Sequence, residues 1–128
     1  MERASCELAE ARKAIEPAEV KPWGCYFVLE EGPGFKGKRI TVTPGGRLSL
    51  QSHESRAEHW VVVSGEASAT VGDLRREMRR GDSVDIGLRE VHRLENFGNE
   101  DVQLIEVQFG TYLGEDDITR YEDAYNRS

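Results

Sequence analysis

From Trp23 onward the chain trades apolar for polar residues at short range. The runs are GCYFVLE (24–30), KGKRITVTP (36–44), RLSLQSH (47–53), EHWVVVSG (58–65), EASATVG (66–72), LRREMRRG (74–81), DSVDIG (82–87), VHRLENFG (91–98) and VQLIEVQFG (102–110). Gly, Pro, Asn and Asp separate them. Alternating or β-branched runs of this length, with turn signals every 8–12 residues, predict about nine strands in an all-β sandwich or barrel. Before them, SCELAEARKAI (5–15) is rich in good helix formers, with Ser5 as cap and Pro17 as stop. It predicts one short helix in an N-terminal extension, residues 1–19, ahead of a single β domain, residues 20–128. The acidic TYLGEDDITRYEDAYNRS (111–128) reads as a loop with a helical turn.

In a strand, successive side chains point to opposite faces. In RLSLQSH, Leu48, Leu50 and Ser52 therefore share one face, and Ser49, Gln51 and His53 the other. In EHWVVVSG, Glu58, Trp60 and Val62 share a face, while His59, Val61 and Val63 take the opposite one. Gln51 and His53 are thus neighbours two residues apart, as two ligands of one ion on one strand must be. Alternation alone does not choose between Glu58 and His59.

Composition narrows the function classes. The 128 residues carry a formal net charge of −7, which disfavours a nucleic-acid partner. Arg75, Arg76, Arg79 and Arg80 point to alternating faces, as a solvated strand would. No apolar run approaches the length of a membrane span, and the N-terminus has no signal-peptide core. The two cysteines, Cys6 and Cys25, form no CxxC pair, so no disulfide framework is expected and the expected compartment is cytoplasmic. Cys25 reads as a small buried residue, and Trp23 and Trp60 as packing residues.

The spacings then become informative. Gly45, five residues, Gln51, one residue, His53, four residues, Glu58, six residues and Gly65 form one block. Gly81, five residues, Gly87, then His92, three residues and Asn96 form a second. These resemble the two-part signature of the cupins, a jelly-roll family. Gln51 stands at the first histidine position, His53 at the second, and Glu58 and His92 at the remaining ligand positions. Gly87 replaces the Pro of the second block and Arg89 its second Gly. The glutamine, with KPWGCYFVL, RAEHWVVVSGEA and LIEVQFGTYLGEDDITRYEDAYNR, resembles the C-terminal domain of type II (bifunctional) mannose-6-phosphate isomerase/mannose-1-phosphate guanylyltransferase. The resemblance covers residues 20–127. The nucleotidyltransferase half is absent from this chain, and Glu54 and Ser55 replace two histidines of the family's H-H-H-R stretch.

The resemblance implies a cupin jelly roll with a divalent metal on Gln51, His53, Glu58 and His92. Zinc is the metal it favours; the donor types also suit iron, manganese or nickel. His59 drops out of the ligand set and is left to hydrogen-bond between sheets. The implied reaction is the interconversion of mannose 6-phosphate and fructose 6-phosphate. Lys38, Arg39, Glu106 and the acidic GEDD (114–117) are acid/base candidates, and Lys38 and Arg39 are also candidates to hold the phosphate. Alternation allows only one of Lys38 and Arg39 to face the interior. Ser55 and Arg56, at the rim of the pocket, are candidates for substrate contact. Two other functions are compatible with the residues: a sugar- or sugar-phosphate-binding cupin without turnover, and a different metal-dependent reaction such as Fe(II) dioxygenation. A homodimer, a small sugar-phosphate substrate and a nucleotidyltransferase in the same pathway are the expected partners.

Overall fold

The computed structural model describes residues 19–125. The helix expected at 5–15 lies outside them. The nine runs form nine strands: β2 (Gly24–Gly32), β3 (Phe35–Val42), β4 (Leu50–Ser52), β5 (Arg56–Ser64), β6 (Ala67–Val71), β7 (Leu74–Met78), β8 (Ser83–Ile86), β9 (His92–Glu95) and β10 (Val102–Gly110). Two more flank them, β1 (Glu19–Lys21) and β11 (Thr119–Glu122). The helical turn expected in the C-terminal segment is replaced by β11, which pairs with β4.

All pairings are antiparallel, in two sheets of order β1-β2-β3-β10-β5-β8 and β11-β4-β9-β6-β7. The hairpin β6–β7 closes through two residues, with Gly72 at φ 61°, a conformation that costs glycine little.

Register decides where the interior is apolar and where it is polar. Leu104 of β10 lies opposite Ile40 of β3 and Val62 of β5; Glu106 lies opposite Lys38 and Trp60. Because the strands are antiparallel, the start of β3 and of β5 sits beside the end of β10. Lys38, Arg56, Glu58, Glu106 and Gln108 therefore collect at one end of the interior. Val42, Val62, Val102 and Leu104 fill the other end, packed with Ala67, Ala69, Met78, Ile86 and Leu94 of the remaining strands. Complete burial of each large apolar side chain contributes about 1.5–3 kcal/mol. That apolar half is what can support a charged half in the same barrel.

Two expectations change. RLSLQSH is not one continuous strand: Arg47 makes an isolated bridge to Glu95, and only Leu50–Ser52 pair as β4. Leu48 and Gln51 consequently line the same pocket, although strict alternation puts them on opposite faces. Cys25 is fully buried, as expected, but it is disulfide-bonded rather than a free thiol. Among the described residues no helix is long and apolar enough to cross a membrane.

Candidate metal centre

Three strands bring the expected ligands together. His53 follows β4, Glu58 is the third residue of β5, and His92 opens β9 directly opposite Gln51. All four are buried. One donor atom from each of His53, Glu58 and His92 lies within 4.8 Å of the others. His53 Nε2 is 3.3 Å from Glu58 Oε2, and His92 Nε2 is 3.6 Å from Glu58 Oε1.

Main-chain carbonyls set both tautomers. His53 Nδ1 donates to the carbonyl of Asp117 at 2.6 Å, and His92 Nδ1 to that of Glu90 at 2.8 Å. Each ring then presents the lone pair of Nε2 to the interior, the arrangement by which second contacts orient metal-binding histidines. Burial, and next the charge of Arg56, lowers His53 to about 4. Burial also lowers His92. Both rings are neutral at pH 7, the form that binds a metal. Gln51 Nε2 donates to Ser49 O (3.2 Å) and Oγ (3.1 Å), which commits the nitrogen of that amide and leaves its oxygen as the end with lone pairs to offer. Two neutral imidazoles, one carboxylate and one amide oxygen suit a divalent metal with a coordination position left for water or substrate.

The charge around this group is dense. Arg56 Nε donates to Glu58 Oε2 at 2.8 Å, and Nη2 donates to His53 Nε2 at 3.2 Å. Burial opposes its charge, but Glu58, Glu106 and Glu115 outweigh burial and raise its pKa. Trp60 Nε1 donates to Glu58 Oε1 (3.2 Å) and Glu106 Oε2 (3.0 Å), so this packing residue also ties the two carboxylates together. Gln108 Nε2 holds Glu106 Oε1 at 2.7 Å. Burial, then the neighbouring Glu58, pushes Glu106 up to about 7.

Gln51, Arg56, Glu58, Trp60, His92 and Glu106 line a solvent-open pocket of about 100 Å³, walled on its other sides by Lys21, Trp23, Tyr26, Ile118 and Arg120. Lys38 is buried in this wall, its ammonium 4.1 Å from the centre of the Tyr26 ring. Arg39 is on the other face of β3, over Phe27 at 4.6 Å, and does not reach the pocket. His59 also faces outward, toward Asp85 on β8. Of the two expected rim residues, Arg56 lines the pocket and Ser55 does not; Glu54 and Ser55 form a bend before β5, and their backbone N–H groups both donate to the Asp117 carboxylate at 2.9 Å. Asn96 holds the turn after β9 through the carbonyls of Val42 and Glu100.

Sequence reasoning missed Asp117 as the support of His53, and it missed Arg120 as a pocket residue. Both lie in the C-terminal segment that read as an acidic loop. The signal available was ITRYE, an alternating run short enough to pass for a turn.

Residues 10–123 match the family described as "Mannose-6-phosphate isomerase C-terminal". The xanthan biosynthesis protein XanB of Xanthomonas campestris is 53% identical over 84% of this chain. A mannose-1-phosphate guanylyltransferase of Escherichia coli is 47% identical over 84% of it. The chain spans 23% of the first relative's length and 22% of the second's. Among solved structures, the cupin domain of Schizosaccharomyces pombe Cnp3 superposes with a TM-score of 0.64 at 16% identity, covering 67% of this chain and 64% of that one. That likeness shows the fold, a cupin barrel. The family match takes in both ligand-bearing blocks and nearly the whole barrel, and by it the chain belongs to the mannose-6-phosphate isomerase C-terminal family.

Proposed function

We propose that this domain is a metal-dependent aldose–ketose isomerase that interconverts mannose 6-phosphate and fructose 6-phosphate. The observation that carries the reading is that Glu58 and His92 of the His53–Glu58–His92 group line one pocket with the cations Lys21, Lys38, Arg56 and Arg120. A sugar phosphate needs both: a centre for its hydroxyl and carbonyl oxygens, and positive charge for its phosphate. Gln51, His53, Glu58 and His92 would hold the metal, with zinc favoured. When bound, it would stabilise negative charge developing on the sugar oxygens.

The rest is the work of side chains. Isomerisation moves a proton between C2 and C1 through an enediol, so one group must take it and return it. Glu106 is our candidate: its carboxylate lines the pocket, and Trp60 and Gln108 fix its orientation. Lys38, opposite Glu106 in the β3–β10 register, supplies positive charge beside it. Arg39, on the far face, is not part of this proposal. Arg56, which lines the pocket, is assigned to substrate contact. A nucleotidyltransferase acting in the same polysaccharide pathway is the partner this reading implies.

The test is fructose 6-phosphate formation by zinc-loaded and chelator-treated protein. Turnover that needs the metal and drops at least a hundredfold in Glu106→Gln supports the reading. No turnover in fully loaded protein overturns it in favour of a binding role.

A further inference from the structure

Residues 111–118 link β10 to β11 and pass over the pocket. From this strap Glu115 reaches inward: its Oε2 is 2.6 Å from Lys38 Nζ and 3.9 Å from Arg56 Nη1. The two cations are 3% and 6% exposed, whereas the Glu115 side chain is 51% exposed. Arg56 Nη1 is buried with no hydrogen-bond partner. Two interior cations with a spare donor thus meet a single carboxylate that arrives from the solvent side.

We propose that Glu115 is an internal anion that occupies the Lys38–Arg56 pair and is displaced when an anionic group of the ligand binds there. Arg56 keeps Glu58 as a counter-charge, but among the described residues Glu115 is the carboxylate in ion-pair distance of the buried Lys38, and a buried ammonium is costly without one. A second anion close to the same cations repels the first, so carboxylate and ligand exclude one another. Burial would raise the pKa of Glu115, but the charge and hydrogen bond of Lys38 together with Arg56 and Lys36 outweigh burial and lower it, which keeps the carboxylate charged. Two residues on, Asp117 anchors the strap to Glu54, Ser55 and His53, so release of Glu115 leaves the support of the metal group in place. The apparent affinity for the ligand is then its intrinsic affinity reduced by the fraction of molecules in which Glu115 is released. The inference rests on the proposed reading of the pocket as a sugar-phosphate site only for the identity of the anion.

The experiment is calorimetric titration of inorganic phosphate into the zinc-loaded full chain. Glu115→Gln should bind phosphate about tenfold more tightly than the unaltered protein. Glu115→Asp should stay near the unaltered value, and adding Lys38→Met to Glu115→Gln should cancel the gain. Equal or weaker binding by Glu115→Gln overturns the proposal, as does a gain that survives Lys38→Met, since phosphate would then be binding elsewhere. Glu115→Ala, at this half-exposed position, repeats the test if the Gln variant does not fold. Tighter phosphate binding by Glu115→Gln together with no isomerase turnover in the unaltered protein would sink the isomerase reading alone.

Discussion

The carbonyl oxygen of Asp117 lies 2.6 Å from Nδ1 of His53, across 64 positions of sequence. The same residue's carboxylate accepts the N–H groups of Glu54 and Ser55, each at 2.9 Å. One residue of the C-terminal strap therefore sets the tautomer of a candidate ligand, His53, and pins the bend behind it. Gly110, where the strap leaves β10, comes so close to that bend that an added Cβ would stand 2.0 Å from Ser55 O.

Asp117→Ala keeps the carbonyl but removes the two carboxylate bonds. Loss of such a support lowers metal affinity by about 10–100-fold. Zinc competition against a chromophoric chelator should show that drop, with Asp117→Asn between the two. An unchanged affinity would mean that the bend holds itself.

Ligand assignments are separable by face. His53→Ala and His92→Ala each remove an inward imidazole and should abolish stoichiometric metal. His59→Ala removes an outward one bonded to Asp85 and should leave metal content unchanged. Metal analysis of the purified variants decides. Retained metal in His53→Ala with loss in His59→Ala would place the ligands one residue out of register.

Arg89 is the sole non-glycine at positive φ among the described residues, at 62°. It sits where the cupin signature has a glycine, and its N–H donates to His53 O at 2.7 Å. An L-residue in this conformation costs about 1–2 kcal/mol, offset in part by the greater unfolded-chain entropy of glycine. Arg89→Gly should therefore stabilise the protein by about 0.5–1 kcal/mol, read as a higher urea midpoint with an unchanged slope. A lower midpoint would show that the Arg89 side chain contributes more than its backbone costs.

Tyr26 carries a pH signature. Burial first, then the charges of Glu115 and Glu19, pushes its phenol from 10.0 up to about 12. The folded state then holds a proton that the unfolded chain releases between those values. Its contribution is complete below pH 10 and is lost as pH rises from 10 to about 12, on the order of 2–3 kcal/mol in all. Denaturant midpoints across that range should fall more steeply for the unaltered protein than for Tyr26→Phe. Parallel profiles would show that Tyr26 ionises freely in the fold.

Much of the barrel was legible because side-chain alternation is local. The nine runs became β2 to β10, period two set Glu58 and His59 on opposite faces of β5, and the glycine spacing chose Glu58 as the inward one. It also left room for only one of Lys38 and Arg39 in the interior, and Lys38 took it. Fixed glycine spacing named four residues, of which His53, Glu58 and His92 converge and Gln51 lies opposite His92. Period two failed between Arg47 and Leu50, where the chain leaves the ladder and both Leu48 and Gln51 turn to the pocket.

The sequence by itself determined where nine of the eleven strands run, which residues within a strand share a face, and which family the chain resembles. All three follow from short-range pattern and spacing. Only the tertiary structure decided that Asp117 supports His53, that Glu115 meets Lys38 and Arg56, and that Trp60 joins Glu58 to Glu106. Those relations depend on antiparallel register and on the path of one strap over the barrel. They join residues more than forty positions apart, and no periodicity along the chain encodes such a distance.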